Sequence, residues 1–555
     1  MSVCAEKIGR PRSEETPSKV LCCRSINISN PSGDKRTFQI LNDELISIIA
    51  NLHVQLEGGR VELLKKRERR QRDFDQNRPL PTLPKEQLPW KNQEEWRVSM
   101  PLQLLHQLKS RALEVVLPAN NTEVIVKTLN EMQMHANYAN LIFDYEEGVR
   151  PLWNNILNGL QNIRGYLIGD LPNLMIPSRQ EQRPAAMIRV RALDRKEATL
   201  QIDGNKVSAA IFDLALHLYY LLPILKDSRS LPLFYIPKCD HPCEAQWWAQ
   251  LFTLLEKEFA LDAGTIKVTI QIDTFTSITL AEEILYRLKN HATALFIHPL
   301  STLANYLKSF RNQPARALSN LSGIEKQEEW QNNILAHLKQ ICQRRGAHLI
   351  VGHNNFLLQH RLVGPEKILI ERIIEEEFLR IKKSEVTGIA LYHPRLLPLA
   401  SNYFHPHPEL EEECSKRNFV PEDFFPHSSA SRTMHEIRPL LKQSIRFLYH
   451  WFKGEGHAYG EFGQDNLTTL EILRWYIWHW PYHRIALDDW GVITKGVIKK
   501  SFEEEFENLL QEERGHAPIS SIEFSLWTKA KNKAKELFLE ELLLEINLVL
   551  ESGKL

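Results

Sequence analysis

The chain has no CxxC pair, no apolar run of membrane-spanning length, and no excess of either charge. Its seven cysteines are scattered over 555 residues, too sparse for a disulfide scaffold or a two-pair zinc site. The closest pair, Cys239 and Cys243, forms a CxxxC with no second ligand pair nearby, and ordinary thiols are the simpler reading. Lys plus Arg and Asp plus Glu each total 69, so no global field draws the chain to nucleic acid or to an anionic membrane. The densest basic run, Lys65 to Arg70, reads as a solvated helix face. Neither nucleic acid nor membrane is expected as a partner. The segment MSVCAEKIGRPRSEETPSKV lacks an apolar signal core, and with scattered thiols this points to a reducing, cytoplasmic setting. The end, Ser-Gly-Lys-Leu, carries Gly where a peroxisomal tail has Ser, so that signal is weak.

What is present is an ordinary globular composition, 43% apolar and 25% charged, in a chain long enough for several units. Residues 1–40 are polar and read as a mobile arm. Residues 41–100 begin with helical apolar periodicity and run into the proline-rich NRPLPTLPKEQLPW. Residues 405–555 are helical and rich in tryptophan, with RFLYHWF, EILRWYIWHW and a final amphipathic stretch from SLWTKAKNK onward. His405 and His407 open this part, but prolines interrupt them, and a solvated linker is the better reading.

Residues 101–404 have another texture. Eight short apolar runs recur: ALEVVLP, NLIFDYEE, AAMIRVRAL, LPLFYIPK, TIKVTIQIDT, ATALFIHP, AHLIVGHNN and TGIALYHP. Helical segments such as WNNILNGLQNI separate most of them. Buried strands alternating with helices predict an α/β fold, a (β/α)8 TIM barrel. The runs end in Glu146 and Glu147, Arg189 and Arg191, Lys238, Asp273, His298, His353 and His393. Polar groups at strand C-termini are where such barrels keep their active sites.

One stretch beyond the barrel, GEGHAYGEFGQDNLTTLEILR, has the form of a helix entry. A short acidic residue just before an apolar-periodic run is an N-cap signature. The same place would suit a catalytic carboxylate, and the residues alone leave both readings open for Asp465 and Asn466.

The order of these motifs from about residue 40 to 540 resembles the malate synthase family. FDYEEGVRPLWNNILNGLQNI, MIRVRAL, FYIPK, GTIKVTIQIDT, KSFRN, CQRRGAHLIVG and the helix entry above carry the resemblance. It implies a TIM barrel with an N-terminal helical clasp and a C-terminal helical plug. It also implies condensation of acetyl-CoA with glyoxylate to malyl-CoA, then hydrolysis to malate and CoA. That chemistry asks for a carboxylate base, an arginine on the enolate and aldehyde oxygens, a magnesium ion held by carboxylates, and a helix N-terminus for the glyoxylate carboxylate.

Carried over residue by residue, the catalytic arginine falls on Arg189, and the acidic pair at the second strand on Glu146 and Glu147. The first metal ligand, a glutamate in the family, falls on Asp273. The second, an aspartate, falls on Ser301, and Leu300 and Ser301 mark the helix start that would receive the small acid. The base, an aspartate, falls on Asn466, with Asp465 beside it. An amide has no basic oxygen at neutral pH, and magnesium favours carboxylate oxygens in tight octahedral geometry. These departures predict lost or strongly reduced malate synthase activity, and they weigh against the magnesium that the family implies. The alternative is an active malate synthase, or a relative acting on another acyl-CoA and 2-oxo acid, with Asp465 as base and Arg189 retained. His457 and Glu461 are weaker candidates in the same loop. His298, His353 and Asp273 would form a His-His-carboxylate set for a different metal, although hydrogen-bonded loop histidines are the simpler reading.

Overall fold

The computed structural model describes residues 24–29, 33–78, 96–108, 110–134, 138–175, 183–320, 328–353, 365–405, 417–426, 431–460, 463–516 and 518–539. Residues 1–23, most of the proline-rich segment, His407, Glu461 and the Ser-Gly-Lys-Leu end lie outside the described residues.

The eight apolar runs form eight parallel strands: β1 (Leu113–Pro118), β2 (Asn140–Asp144), β3 (Ala186–Arg189), β4 (Leu233–Ile236), β5 (Lys267–Gln271), β6 (Ala292–Ile297), β7 (His348–His353) and β8 (Gly388–Leu391). Each pairs with the next, and β8 pairs with β1, which closes the barrel. The fold is a TIM barrel with helices added at both ends. Strand alternation decides what lies inside. Val116, Ile142, Met187, Phe296, Ile350 and Ala390 fill the middle of the barrel as one apolar cluster. Below them Arg111 binds Glu114, Thr269 and Thr293. Above them sit Arg189, Gln271, Tyr392 and the residues discussed below.

Helix α1 (Asp43–Asp75) starts on Asn42, whose side chain accepts from the Leu45 N–H, with Asp43 and Glu44 in the first turn. It lies against α2 (Ala209–Asp227) and α3 (Pro242–Glu258). Sequence inspection finds no membrane-length apolar run, yet α2 reaches that length and hydropathy. It is 67% buried inside the protein, and an all-round apolar helix covered on most sides is a core helix. Within residues 1–40, Ile26–Ile28 pairs with Leu200–Ile202 as the edge of a small antiparallel sheet. That part of the expected arm is tied down by backbone pairing, which composition does not reveal.

Helix α4 (Pro299–Ser309) follows β6, with Pro299 in its first turn. The C-terminal part contributes α5 (Met434–Lys453), α6 (Leu467–Tyr482), α7 (Lys495–His516) and α8 (Ser521–Leu539). Helix α6 packs on α4, and its tryptophans are core: Trp475, Trp478 and Trp480 are all buried.

Candidate functional site

The C-terminal ends of the strands place a buried ionic network at the barrel mouth. Arg189 ends β3 and points inward, two residues after Met187. Its Nη1 donates to Glu147 Oε2 at 2.9 Å and to Tyr392 Oη at 3.3 Å, and its Nη2 donates to Gln271 Oε1 at 2.5 Å. Asp144 lies 3.5 Å from the same guanidinium. Burial alone would lower the Arg189 pKa, but Glu147, Tyr392 and Asp144 hold it well above its ordinary value. Burial would raise Glu147, yet Arg189 and then Lys238 bring it down to about 2. Glu146 faces the other way: Oε1 accepts from Lys238 Nζ at 2.7 Å and Oε2 from the Ala192 N–H at 2.8 Å.

Asp273 lies two residues past the end of β5. Its Oδ2 accepts from the Gln271 amide, and its Oδ1 from the His298 N–H at 3.2 Å. Burial pushes it up to about 6, against those two hydrogen bonds and one from the Ser301 side chain. His298 is the N-cap of α4: its Nδ1 accepts from the Ser301 N–H at 3.3 Å. Burial lowers it to about 4, so the ring is neutral at physiological pH. It packs edge-on to Tyr392, ring centres 5.0 Å apart. His353 instead faces Glu377, with Nδ1 and Oε1 3.3 Å apart.

A glycine makes room for His298. A Cβ added at Gly352 would lie 2.7 Å from His298 Cδ2 and 2.8 Å from Phe296 Cζ. Gly352→Ala is therefore expected to cost about 1–3 kcal/mol through overpacking. In a His298→Ala background that cost should shrink by about 1 kcal/mol, as a double-mutant cycle from urea melts would read.

Two strand-end groups have partners outside the ionic network. Arg191 binds Asp213 at 2.6 Å and Glu197 at 2.7 Å. His393 turns its Nε2 to the Gly460 carbonyl at 3.2 Å, while its neighbour Tyr392 faces inward. The helix entry is resolved as a cap. Asn466 Oδ1 accepts from the Thr469 N–H at 3.2 Å, which makes Asn466 the N-cap of α6. The Leu467 N–H donates to the Glu147 carbonyl at 3.2 Å and anchors this entry over the mouth. Asp465 is turned away from the mouth: its Oδ1 accepts from Gln443 Nε2 of α5 at 2.8 Å, and burial pushes it up to about 7. His457 holds the Gly148 carbonyl through Nδ1 at 2.9 Å.

Outside the mouth runs a cleft of about 560 Å³, bounded by α1, the β5 and β6 loops, α4 and the start of α6. Asp273 and Ser301 stand at one part of its wall. Arg67, Arg70, Lys308 and Arg311 supply positive charge, and Phe275 and Trp475 supply aromatic surface. Arg67 is bound to Glu244 at 2.7 Å, and Arg311 to Asp75 at 2.7 Å.

The model of the malate synthase TIM-barrel domain matches residues 185–420. Malate synthase A of Escherichia coli (strain K12) is 25% identical over 497 residues, covering 87% of this chain and 90% of the relative. The glyoxysomal malate synthase of Candida tropicalis is 25% identical over 508 residues, covering 88% and 89%. The chain is thus similar to malate synthases over most of its length. Among solved structures, a Haloferax volcanii malate synthase in a magnesium/glyoxylate complex is 12% identical with a TM-score of 0.38, covering 76% of this chain and 97% of that one.

The magnesium that the family resemblance implies can be tested against the side chains present here. Both Asp273 oxygens already accept hydrogen bonds, Ser301 donates to Asp273, and Glu146 is bound to Lys238; Glu147 is bound to Arg189 through Oε2, and its buried Oε1 alone has no hydrogen-bond partner among the described residues. Among the described residues, no group of three or more His, Cys, Asp or Glu is arranged to hold a metal ion. This covers the Asp273, His298 and His353 set as well as Cys239 and Cys243. Hard divalent cations need several free oxygens converging on one point, and the mouth does not supply them. At the helix start of Leu300 and Ser301, the Ser301 N–H is taken by His298.

Sequence reasoning missed Gln271, Tyr392, Glu377 and Gln443. A signal existed for the first: a polar residue two positions before Asp273 shares its face of the strand.

Proposed function

We propose that this malate synthase-like protein binds an acyl-CoA in the cleft and has lost, or nearly lost, the condensation of acetyl-CoA with glyoxylate. One observation carries the reading: the base position is an asparagine spent on capping α6, and the adjacent carboxylate, Asp465, is bound to Gln443 of another helix. Retained binding is supported by a cleft of suitable size for a cofactor-sized ligand, with cations in its wall for phosphates. A positioned general base contributes about 10²- to 10⁴-fold.

The test is malate formation from acetyl-CoA, glyoxylate and magnesium, followed by mass spectrometry beside the Escherichia coli relative. The expected rate is at least about 10²-fold below that enzyme. Comparable turnover would overturn the proposal. It would favour the active reading, in which Asp465, held near neutrality by burial, swings into the mouth. Asp465→Asn should then abolish the activity.

A further inference from the structure

Gln271 is an inward side chain at the mouth to which the family chemistry gives no role. It ends β5, and strand alternation puts Thr269, Gln271 and Asp273 on the inner face of the barrel. Its side chain is buried at 1% exposure. A primary amide presents an acceptor oxygen on one side and donor hydrogens on the other. Here the oxygen accepts from Arg189 Nη2 at 2.5 Å, and the nitrogen donates to Asp273 Oδ2. The amide thus lies between the permanent cation of β3 and the carboxylate of β5.

The other bonds occupy the second guanidinium nitrogen and the second carboxylate oxygen, while Arg189 Nε has no hydrogen-bond partner among the described residues. Arg189 Nη1 serves Glu147 and Tyr392, and Asp273 Oδ1 takes the His298 N–H. A small 2-oxo acid needs the arginine fork for its oxygens, and its metal needs the aspartate oxygens. In this chain one side chain satisfies both. The carbonyl of Gln271 stands where a substrate oxygen would meet Arg189, and its N–H where a cation would meet Asp273.

We infer that Gln271 is an internal ligand, its amide occupying the place of a small 2-oxo acid and its divalent cation between Arg189 and Asp273. The inference rests on the proposed reading that this mouth corresponds to the family's small-acid site. It makes Gln271 the residue that decides what the mouth rejects, while the cleft outside stays open to a larger ligand. Loss of the base and occlusion of the mouth are separate features, since Asn466 and Gln271 belong to different elements and share no hydrogen bond.

The test is calorimetric titration of the full chain with glyoxylate plus magnesium chloride, and with each alone. The native protein should show no binding at millimolar glyoxylate. Gln271→Ala should gain at least tenfold in affinity for the pair, because it frees Arg189 Nη2 and Asp273 Oδ2 and opens the space between them. Gln271→Ser, which keeps a hydroxyl at the strand end, is the second variant should alanine unfold the barrel, and the same gain is expected. Binding by the native protein equal to that of either variant would overturn the inference. So would folded variants that gain nothing. Malate formation by the native protein would overturn the proposed function, whereas a missing gain in the variants would overturn this inference alone.

Discussion

Arg189→Leu is expected to destabilise the protein by about 3–5 kcal/mol near neutral pH, the cost of removing one partner from a buried ion pair. Arg189 is 1% exposed and is the cation closest to two buried carboxylates, with Glu147 at 2.9 Å and Asp144 at 3.5 Å. A leucine would leave both acids buried without it. Glu147, now held at about 2, lies below its unfolded value, so its stabilising contribution is present above about pH 4 and is lost as pH falls through 2. Without Arg189 the sign reverses. Burial then raises the carboxyl, and the variant becomes relatively more stable as acid protonates it. Urea midpoints from about pH 4 to 8 should show the largest gap from the native protein at the alkaline end. Adding Glu147→Gln to Arg189→Leu should recover about half the loss, because it removes one uncompensated charge. A uniform loss across pH, unaffected by Glu147→Gln, would mean that packing and not charge sets the cost.

Asp465→Asn is expected to do the opposite and stabilise the protein above neutrality. Burial pushes Asp465 from 3.8 up to about 7, with Gln443 and then Arg446 opposing the rise. A folded pKa above the unfolded one means that the contribution is fully present below about pH 4 and is lost as pH rises through 7. Three units at about 1.4 kcal/mol each amount to about 4 kcal/mol by pH 8. Asparagine keeps an oxygen for Gln443 Nε2 and cannot ionise. The variant should match the native protein at about pH 4 and exceed it at about pH 8, by several degrees in Tm. Equal melting curves at both ends would show that Asp465 is already relieved of its charge, or hydrated.

The barrel itself was legible because each strand is short, apolar and followed by a polar group, a pattern imposed locally by burial on both faces of a parallel sheet. Arg189 and Asp273 were legible for the same reason. Direction was not legible where a single position decides it. Arg191 and His393 follow inward-facing neighbours, Val190 intervening in the first case and Tyr392 adjacent in the second, and the alternation is no longer strict once the strand has ended. The cap at Asn466 could be anticipated, since an N-cap needs only its own N–H groups three residues on.

What required the closed fold were contacts between distant segments. Gln271 meets Arg189 because β3 and β5 flank β4 in the closed barrel and both side chains point inward. Asp465 meets Gln443 because α5 packs over the loop before α6. The sequence by itself determined the periodicities and the caps, since these depend on residue type and near neighbours. Only the tertiary structure decided that Gln271 bridges Arg189 and Asp273, and that Asp465 turns away. Direction and partner are settled by packing among elements dozens to hundreds of residues apart, where no local spacing carries the information.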